Sequence, residues 1–359
     1  MKVVFIIPID KFTKGMYRFM EKHFSNLERF FIFYGKGERF EVNEKAQNCF
    51  WMESYNDIRK DSKEYALVQS ADLILYSGLF DTVHCFRKFG MKTLKKTYIQ
   101  FWGADFYILG DHSGSFKHKL SKWYRKYVIR HAAGVINLLP KEYEALCKIC
   151  APKGKHFIAP VCGDGSIQQL IANLRSTPKS RDPLRIIVGN SATDTNQHLD
   201  MFEKLAEYKN ENIEIICPLS YGDSAYAETV IRTGRELFGD KFVPLTEFMD
   251  IETYYGYIAR SAIAVFNNNR QQAMGNINAA LGLGCKVYIR SDTAMWDSYC
   301  VTRGYKVYKA EEIGSVPFAE FADCAYDPEE NYRIYQEASS LDKYVRQWQQ
   351  VFDSIEGAE

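Results

Sequence analysis

The sequence predicts two doubly wound, Rossmann-like α/β domains facing each other across a cleft. Three observations predict it. Short apolar runs alternate with amphipathic segments along the chain, the pattern of parallel strands joined by helical crossovers. The alternation restarts near residue 184, after Gly163-Asp164-Gly165 and Ser180-Arg181-Asp182-Pro183. At the restart, Arg185-Ile186-Ile187-Val188 runs into Gly189-Asn190-Ser191, then a polar turn, then a helix with Leu199, Phe202, Leu205 and Ala206 on one face. Gly189 lets a ligand approach the backbone, and amides at the following helix start carry positive partial charge. That turn is a candidate seat for a phosphate or diphosphate.

The 359 residues can hold two domains with sizeable cores. The first apolar run, Val3 to Ile7, ends at Pro8 with no small-residue cleavage site after it. It reads as a buried strand rather than a signal peptide. In the first half, strands are expected at 2–9, 30–34, 73–76, 97–101, 134–137 and 156–159. Helical spacing falls at 16–25, 62–70, 82–89, 116–131 and 141–149. In the second half, strands are expected at 184–188, 213–217, 241–244, 262–266, 286–289 and 306–308, with helices at 223–238, 251–260 and 272–281. Leu341, Tyr344, Val345, Trp348, Val351, Phe352 and Ile355 recur at helical spacing and predict a long closing helix. The expected division is an N-terminal domain over 1–162, a connection over 163–183, a second domain over 184–330, and a closing segment over 331–359 that packs back on the first.

Composition is that of an ordinary globular protein, rich in aromatics at 15% and with a net charge of +1. Neutrality gives no general affinity for polyanions, but charge is unevenly placed. Arg87 to Arg130 holds eleven Lys and Arg against Asp105 and Asp111, whereas Glu311 to Glu359 holds twelve acids against three bases. No apolar run reaches the roughly 18 residues a membrane span needs. Nine scattered cysteines fit buried free thiols in a reducing cytosol. Cys147 and Cys150 form a close pair that His156 and Cys162 complete on paper as a zinc set. The second pair of a zinc knuckle is missing, and buried helix cysteines are the better reading, so no metal is expected.

In open parallel sheets ligands sit outside the carboxyl ends of the strands, so chemistry is sought in the loops that follow them. After the strand expected at 262–266 comes Asn267-Asn268-Asn269-Arg270-Gln271-Gln272-Ala273-Met274-Gly275-Asn276. Helix capping accounts for one asparagine, not for six amides and an arginine. Arg270 can pair with a diphosphate in a bidentate way, and Gln271, Gln272 and Asn276 can bond ribose or sugar hydroxyls. In the first domain, Phe101-Trp102-Gly103-Ala104-Asp105 places a carboxylate at a strand end. Asp105 is there a candidate general base for an acceptor hydroxyl, or an acid that orders its own loop. His84 is a rival base, and Asp10 a weaker one. Tyr221 and Glu247-Phe248 occupy equivalent loop positions in the second domain, where an aromatic can stack on a base.

The chain has no Asp-x-Asp, no GxGxxG after its first strand and no GxxxxGK[ST]. Charge on a leaving phosphate would then fall on Arg270 and helix dipoles rather than on a metal. Residues 116–130 form a basic amphipathic helix. Phe116, Leu120, Trp123, Tyr124, Tyr127 and Val128 are expected on one face, and Lys117, Lys119, Lys122, Arg125, Lys126 and Arg130 on the others. The apolar face suits the core and the basic side suits an anionic membrane surface; overall neutrality and the acidic tail argue against nucleic acid.

Gly189-Asn190-Ser191 with Asn196-Gln197-His198, then Arg270 to Asn276, with Trp102-Gly103-Ala104-Asp105 upstream, resemble the TDP-N-acetylfucosamine:lipid II N-acetylfucosaminyltransferases. These are the 4-acetamido-4,6-dideoxygalactose transferases of glycosyltransferase family 56. The likeness is carried chiefly by residues 185–300. It implies a GT-B fold, a nucleotide-diphosphate-sugar donor such as a dTDP sugar, and a polyprenyl-diphosphate-linked acceptor in bacterial surface polysaccharide synthesis. It also implies a cytoplasmic enzyme lying peripherally on the inner membrane face, with no cofactor beyond the donor. On this basis Gly189, Asn190, Ser191 and Arg270 would hold the diphosphate, and Gln271, Gln272, Gly275 and Asn276 the ribose and sugar. Asn196, His198, Tyr221, Glu247 and Phe248 would complete the donor site. Asp105, or else His84, would serve the acceptor hydroxyl. A nucleotide-sugar 2-epimerase of similar fold and a non-catalytic partner of a membrane glycosyltransferase are the alternatives.

Overall fold

The structure, a computed structural model, describes residues 1–10, 12–36, 47–54, 57–79, 86, 88–110, 115–161, 163–323 and 328–356. The chain forms two compact units, Met1–Gly165 with Leu341–Glu359, and Ser166–Ser340.

The first unit holds a seven-stranded sheet. Its strands are β1 Lys2–Pro8, β2 Glu28–Tyr34, β3 Cys49–Met52, β4 Leu73–Ser77, β5 Thr97–Gln100, β6 Gly134–Asn137 and β7 Lys155–Ile158. Their order is β3-β2-β1-β4-β5-β6-β7, and every pairing is parallel. Each face of this sheet is covered, which is why its strands read as near-continuous apolar runs. On one face Val4, Ile6, Ile74, Ile99 and Val135 pack with Phe101, Phe106, Val128 and Leu146. On the other, Val3, Phe5, Phe31 and Leu75 pack with Met16, Phe19 and Met20, and with Trp348, Val351 and Phe352 of the closing helix Leu341–Glu356. Trp348 Nε1 donates to the Pro160 carbonyl at 3.1 Å, so the one polar atom of this buried ring is satisfied. Strand β3 is absent from the sequence expectation, because it is an edge strand in which only Met52 is buried, so it lacks the apolar run of the inner strands.

The second unit holds a six-stranded parallel sheet of β8 Leu184–Val188, β9 Ile213–Pro218, β10 Phe242–Leu245, β11 Ile263–Phe266, β12 Lys286–Ile289 and β13 Tyr308–Lys309. Its order is β10-β9-β8-β11-β12-β13. Ile187, Ile216, Ala264 and Val287 lie in one core layer, and Ile186, Val188, Ile215 and Val265 in the other. The last strand begins two residues later than expected. Lys306 instead exchanges both backbone groups with the side chain of buried Asn331, at 2.8 and 2.9 Å, which mimics a strand partner.

Residues 163–183 are not a bare connection. They contain the helix Ser166–Leu174, whose Ile171 is buried in the second core. Gly282 makes that packing possible, because a Cβ there would meet Ile171 Cγ2 at 2.8 Å and the Tyr335 ring at 3.2 Å. Tyr335 belongs to the helix Pro328–Ala338, so the second unit keeps residues to Ser340 and the chain rejoins the first unit at Leu341.

One further expectation is corrected. The helix Phe116–His131 does not turn its whole apolar set inward. Val128 and Ile129 are buried and Tyr124 packs beside them, while Phe116, Leu120, Trp123 and Tyr127 face solvent. Spacings of four, three and four residues put those four side chains on one stripe, turned away from the inward one. Cys150 is buried at the end of the helix Pro140–Cys150, where burial pushes its thiol up to about 12. His156 stacks on Tyr143 with ring centres 3.6 Å apart, and Cys162 lies outside the described residues. Among the described residues, no helix is long and apolar enough to cross a membrane.

Candidate functional site

In the second sheet the chain order reverses between β8 and β11. The loops leaving their carboxyl ends border a switch point, where doubly wound sheets bind ligands. Residues 189–197 follow β8 and residues 267–273 follow β11. The two loops are bound to each other throughout. Gly189 N donates to Val265 O at 2.9 Å, and Asn269 N donates to Thr195 O at 3.0 Å. Thr195 Oγ1 donates to Gln272 Oε1 at 2.6 Å, and Gln272 Nε2 donates to Ser191 Oγ at 3.1 Å and to Thr193 Oγ1 at 2.9 Å.

Asn196 is the hub of this web and is buried. Its Oδ1 accepts from Asn190 N at 3.0 Å and from Asn268 Nδ2 at 3.1 Å, and its Nδ2 donates to Thr193 Oγ1 at 2.7 Å. The loop after β9 joins through a short parallel bridge. Ala192 N donates to Tyr221 O at 2.8 Å, and Asp223 N donates to Ala192 O at 2.7 Å. Asn190 Nδ2 donates to Tyr221 OH at 2.9 Å, while the Tyr221 ring stays largely exposed.

These bonds revise how the turn could bind phosphate. The helix after β8 starts only at His198, behind a short 3-10 turn over Asp194–Asn196, and the amides of Gly189 and Asn190 are already bonded within the protein. What this loop offers instead is side-chain atoms. Among the described residues, Asn190 Oδ1, Asn268 Oδ1 and His198 Nε2 are buried and have no hydrogen-bond partner. Tyr226 OH accepts from His198 N at 3.4 Å and lies 3.3 Å from His198 Nδ1. With Tyr226 donating to Nδ1, the ring hydrogen sits on Nε2 as an available donor. Burial holds the imidazole down at about 4, hence neutral. Gly189 has φ +73, and a Cβ there would fall 2.4 Å from His198 Nε2, so the close approach of the backbone to that nitrogen requires glycine.

The helix Met274–Gly282 opens the other side. By helix geometry its first amides have no intrahelical partner. It is entered through Ala273 in the left-handed region at φ 58, as the His198 helix is entered through Gln197 at φ 52. Non-glycine residues in that region carry strain, and both stand beside the switch point. Arg270 is half-buried and donates to the Gln271 carbonyl at 3.0 Å; Gln271 itself is buried. Asn276 Nδ2 donates to Tyr254 OH at 2.9 Å. A Cβ on Gly275 would meet nothing within 4 Å, so nothing in the protein itself requires glycine there. Glu247 and Phe248 follow the edge strand β10, exposed and two strands from β8, and among the described residues no bond ties them to this web. Thr193 and Thr195 join it with no local signal in the sequence, and Asn268 joins as one of the six clustered amides. Hydroxyls and amides in polar turns resemble ordinary solvated loop residues until the fold brings them together.

In the first unit Asp105 is entirely buried. Its Oδ2 accepts from Leu79 N at 2.9 Å and its Oδ1 from Trp102 N at 3.1 Å, which ties the loop after β4 to the loop after β5. Desolvation pushes its carboxyl up to about 6, against those backbone bonds. Both oxygens are engaged, so this geometry is that of a loop clamp rather than of a base open to a substrate hydroxyl. Close by, burial first and then the charge of Asp105 push Glu142 up to about 8, while the Leu139 amide 3.1 Å from Oε2 opposes the shift. Asn137, at the end of β6, is buried with neither side-chain atom partnered. Asp10 precedes the helix Thr13–His23, its Oδ1 accepting from Phe12 N at 2.8 Å and from Thr13 N at 3.2 Å. His84 lies outside the described residues.

The profile of the family described as 4-alpha-L-fucosyltransferase, glycosyl transferase group 56, matches residues 41–319. Among solved structures, a glycosyltransferase from Rickettsia africae ESF-5 is similar at 12% identity, with 100% of this chain and 99% of that one covered and a TM-score of 0.62. Sucrose-phosphate synthase from Thermosynechococcus elongatus is similar at 12% identity and a TM-score of 0.70, with 100% of both chains covered. A structure described as trehalose-6-phosphate from E. coli bound with UDP-2-fluoro glucose is similar at 9% identity and a TM-score of 0.65, again over 100% of both chains. At these identities the structural likeness concerns the fold.

Proposed function

The chain belongs to the glycosyl transferase group 56 family, and from that premise we propose that it moves a deoxyamino hexose from a dTDP-linked donor to a polyprenyl-diphosphate-linked glycan. Its two Rossmann-like units make the GT-B fold, and it is a nucleotide-sugar-dependent glycosyltransferase. In our reading the donor lies at the carboxyl ends of β8 and β11. One observation carries this: Asn190 Oδ1, Asn268 Oδ1 and His198 Nε2, all just past the ends of these two strands, are buried without partners, with His198 Nε2 beside Gly189. Each unmet buried polar atom costs about 1–3 kcal/mol, which a bound ligand with hydroxyl and phosphate groups recovers.

The roles follow from the chemistry of each atom. His198 Nε2–H and Arg270 face the leaving diphosphate. The oxygens of Asn190 and Asn268 accept from ribose or sugar hydroxyls, with Gln271, Gln272 and Asn276 beside them. As the glycosidic bond breaks, negative charge grows on the phosphate, so fixed donors there stabilise the transition state more than the ground state. His84 is the candidate to receive the acceptor proton in place of Asp105, whose two oxygens bond the amides of Leu79 and Trp102. The acceptor would meet the enzyme at the cytoplasmic face of the membrane, in bacterial surface polysaccharide synthesis.

The test is thermal stabilisation by dTDP, UDP, GDP and ADP, with and without Mg²⁺. A ligand at about 100 times its dissociation constant adds about 2.7 kcal/mol to stability. Stabilisation by dTDP alone, weakened in Arg270→Ala, is expected. No shift with any nucleotide would overturn the donor site.

A further inference from the structure

The helix Phe116–His131 carries a second candidate binding surface, in the first unit. Phe116, Leu120, Trp123 and Tyr127 are 81%, 55%, 61% and 37% exposed along one stripe, an arrangement no water-facing helix gains from. The helix contains no acidic residue. Beside the stripe lies a cavity of about 370 Å³, lined by Trp123, Tyr127, Lys126 and Arg130 of this helix and by Lys148 and Cys150 of the next. Among the described residues, no carboxylate pairs with Lys126, Arg130 or Lys148. Three cations thus converge on a hollow walled by two aromatic rings.

We propose that this face docks on a membrane containing anionic phospholipid, and that the cavity takes one headgroup phosphate. The charges and shape agree on that occupant. Aromatic side chains enter the interfacial zone of a bilayer, lysines and arginines beside them meet lipid phosphates, and the cavity sits where the two zones adjoin. A soluble acidic protein would account for the cations but not for an apolar stripe at helical spacing. The proposal extends the reading of a membrane-borne acceptor. It concerns binding alone, and so stands or falls apart from turnover.

The experiment is co-sedimentation of the full chain with phosphatidylcholine vesicles, with and without phosphatidylglycerol, in the absence of donor and acceptor. Binding to the anionic vesicles and not the neutral ones is expected. The Lys126→Ala, Arg130→Ala, Lys148→Ala triple variant should bind roughly a hundredfold more weakly, from the attraction each basic residue adds near an anionic surface. A control triple variant, Lys117→Ala, Lys119→Ala, Lys122→Ala, removes equal charge away from the cavity and should lose clearly less. Trp123 fluorescence should shift to the blue on binding, a change absent in Trp123→Phe. Equal loss in both triple variants would overturn the headgroup pocket, and so would equal protection of the cavity lysines from acylation by free glycerol phosphate. No vesicle binding, or a dimer that Trp123→Ala turns to monomer, would overturn the docking face. Unchanged melting and unchanged nucleotide stabilisation in every variant keep a failure here separate from a failure of the donor site.

Discussion

Thr195 and Gln272, 77 positions apart in sequence, share the shortest of the hydrogen bonds that join the β8 and β11 loops, 2.6 Å from the threonine hydroxyl to the amide oxygen. The same amide donates to Ser191 and Thr193, so one side chain fixes three hydroxyls of the opposite loop. Gln272→Ala should release that loop and weaken nucleotide binding by roughly tenfold, the effect of one to two lost hydrogen bonds. Calorimetric titration with the best nucleotide measures it. Unaltered affinity would show that the web is not part of the binding site.

Gly189→Ala tests the space beside His198. The new methyl meets a left-handed backbone, worth about 1–2 kcal/mol, and then the imidazole nitrogen at 2.4 Å. The variant should melt lower and lose nucleotide binding. Adding His198→Ala should recover part of the stability, since the clash goes and the backbone strain stays, but not the binding. Full recovery of both would remove His198 from the site.

Asp105→Asn separates the clamp from a base. Asparagine offers one oxygen where two backbone amides are bonded, so Leu79 N or Trp102 N is left facing an NH₂ group. A loss of about 1–3 kcal/mol in chemical denaturation is expected, with nucleotide affinity in the second unit unchanged. Loss of turnover at full stability would instead mark Asp105 as the base.

Glu142 makes stability depend on pH. Its folded pKa, about 8, lies above its ordinary value, so the folded state holds this proton more tightly than the unfolded chain does. That contribution is fully present below the ordinary glutamate range and is lost as pH rises through about 8; buried Asp105 adds the same sign through about 6. Wild type should therefore melt several degrees higher near about pH 5.5 than near about pH 9, and Glu142→Gln should flatten the difference. Gln keeps an oxygen for Leu139 N and has no proton to lose. Parallel pH profiles for the two proteins would refute this account.

Much of the fold was legible because its signals are local. Buried parallel strands announce themselves as apolar runs, and 134–137, 184–188 and 286–289 coincide with β6, β8 and β12. The closing helix was legible for the same reason: Trp348, Val351 and Phe352 repeat at the spacing that buries them. Strand β3 and the late start of β13 were not, since the first is a half-buried edge strand and the second depends on Asn331, 25 residues away. The boundary at 163–183 was misplaced because Ile171 finds its partners in distant segments, among them those around Gly282 and Tyr335.

For the candidate site, the sequence by itself determined that two polar clusters stand at strand ends: Gly189 to Ser191 after one strand, Arg270 to Asn276 after another. Composition and local spacing are enough for that, since a polar cluster at a strand end is visible without its neighbours. Only the tertiary structure decided what each side chain touches. Asn196 bonds Asn190, Asn268 and Thr193, Asp105 bonds the amides of Leu79 and Trp102, and buried His198 stands beside Gly189. It also turned the Phe116, Leu120, Trp123 and Tyr127 stripe outward. These outcomes rest on burial and on partners far apart in the chain, and neither is encoded within any window of sequence short enough to read alone.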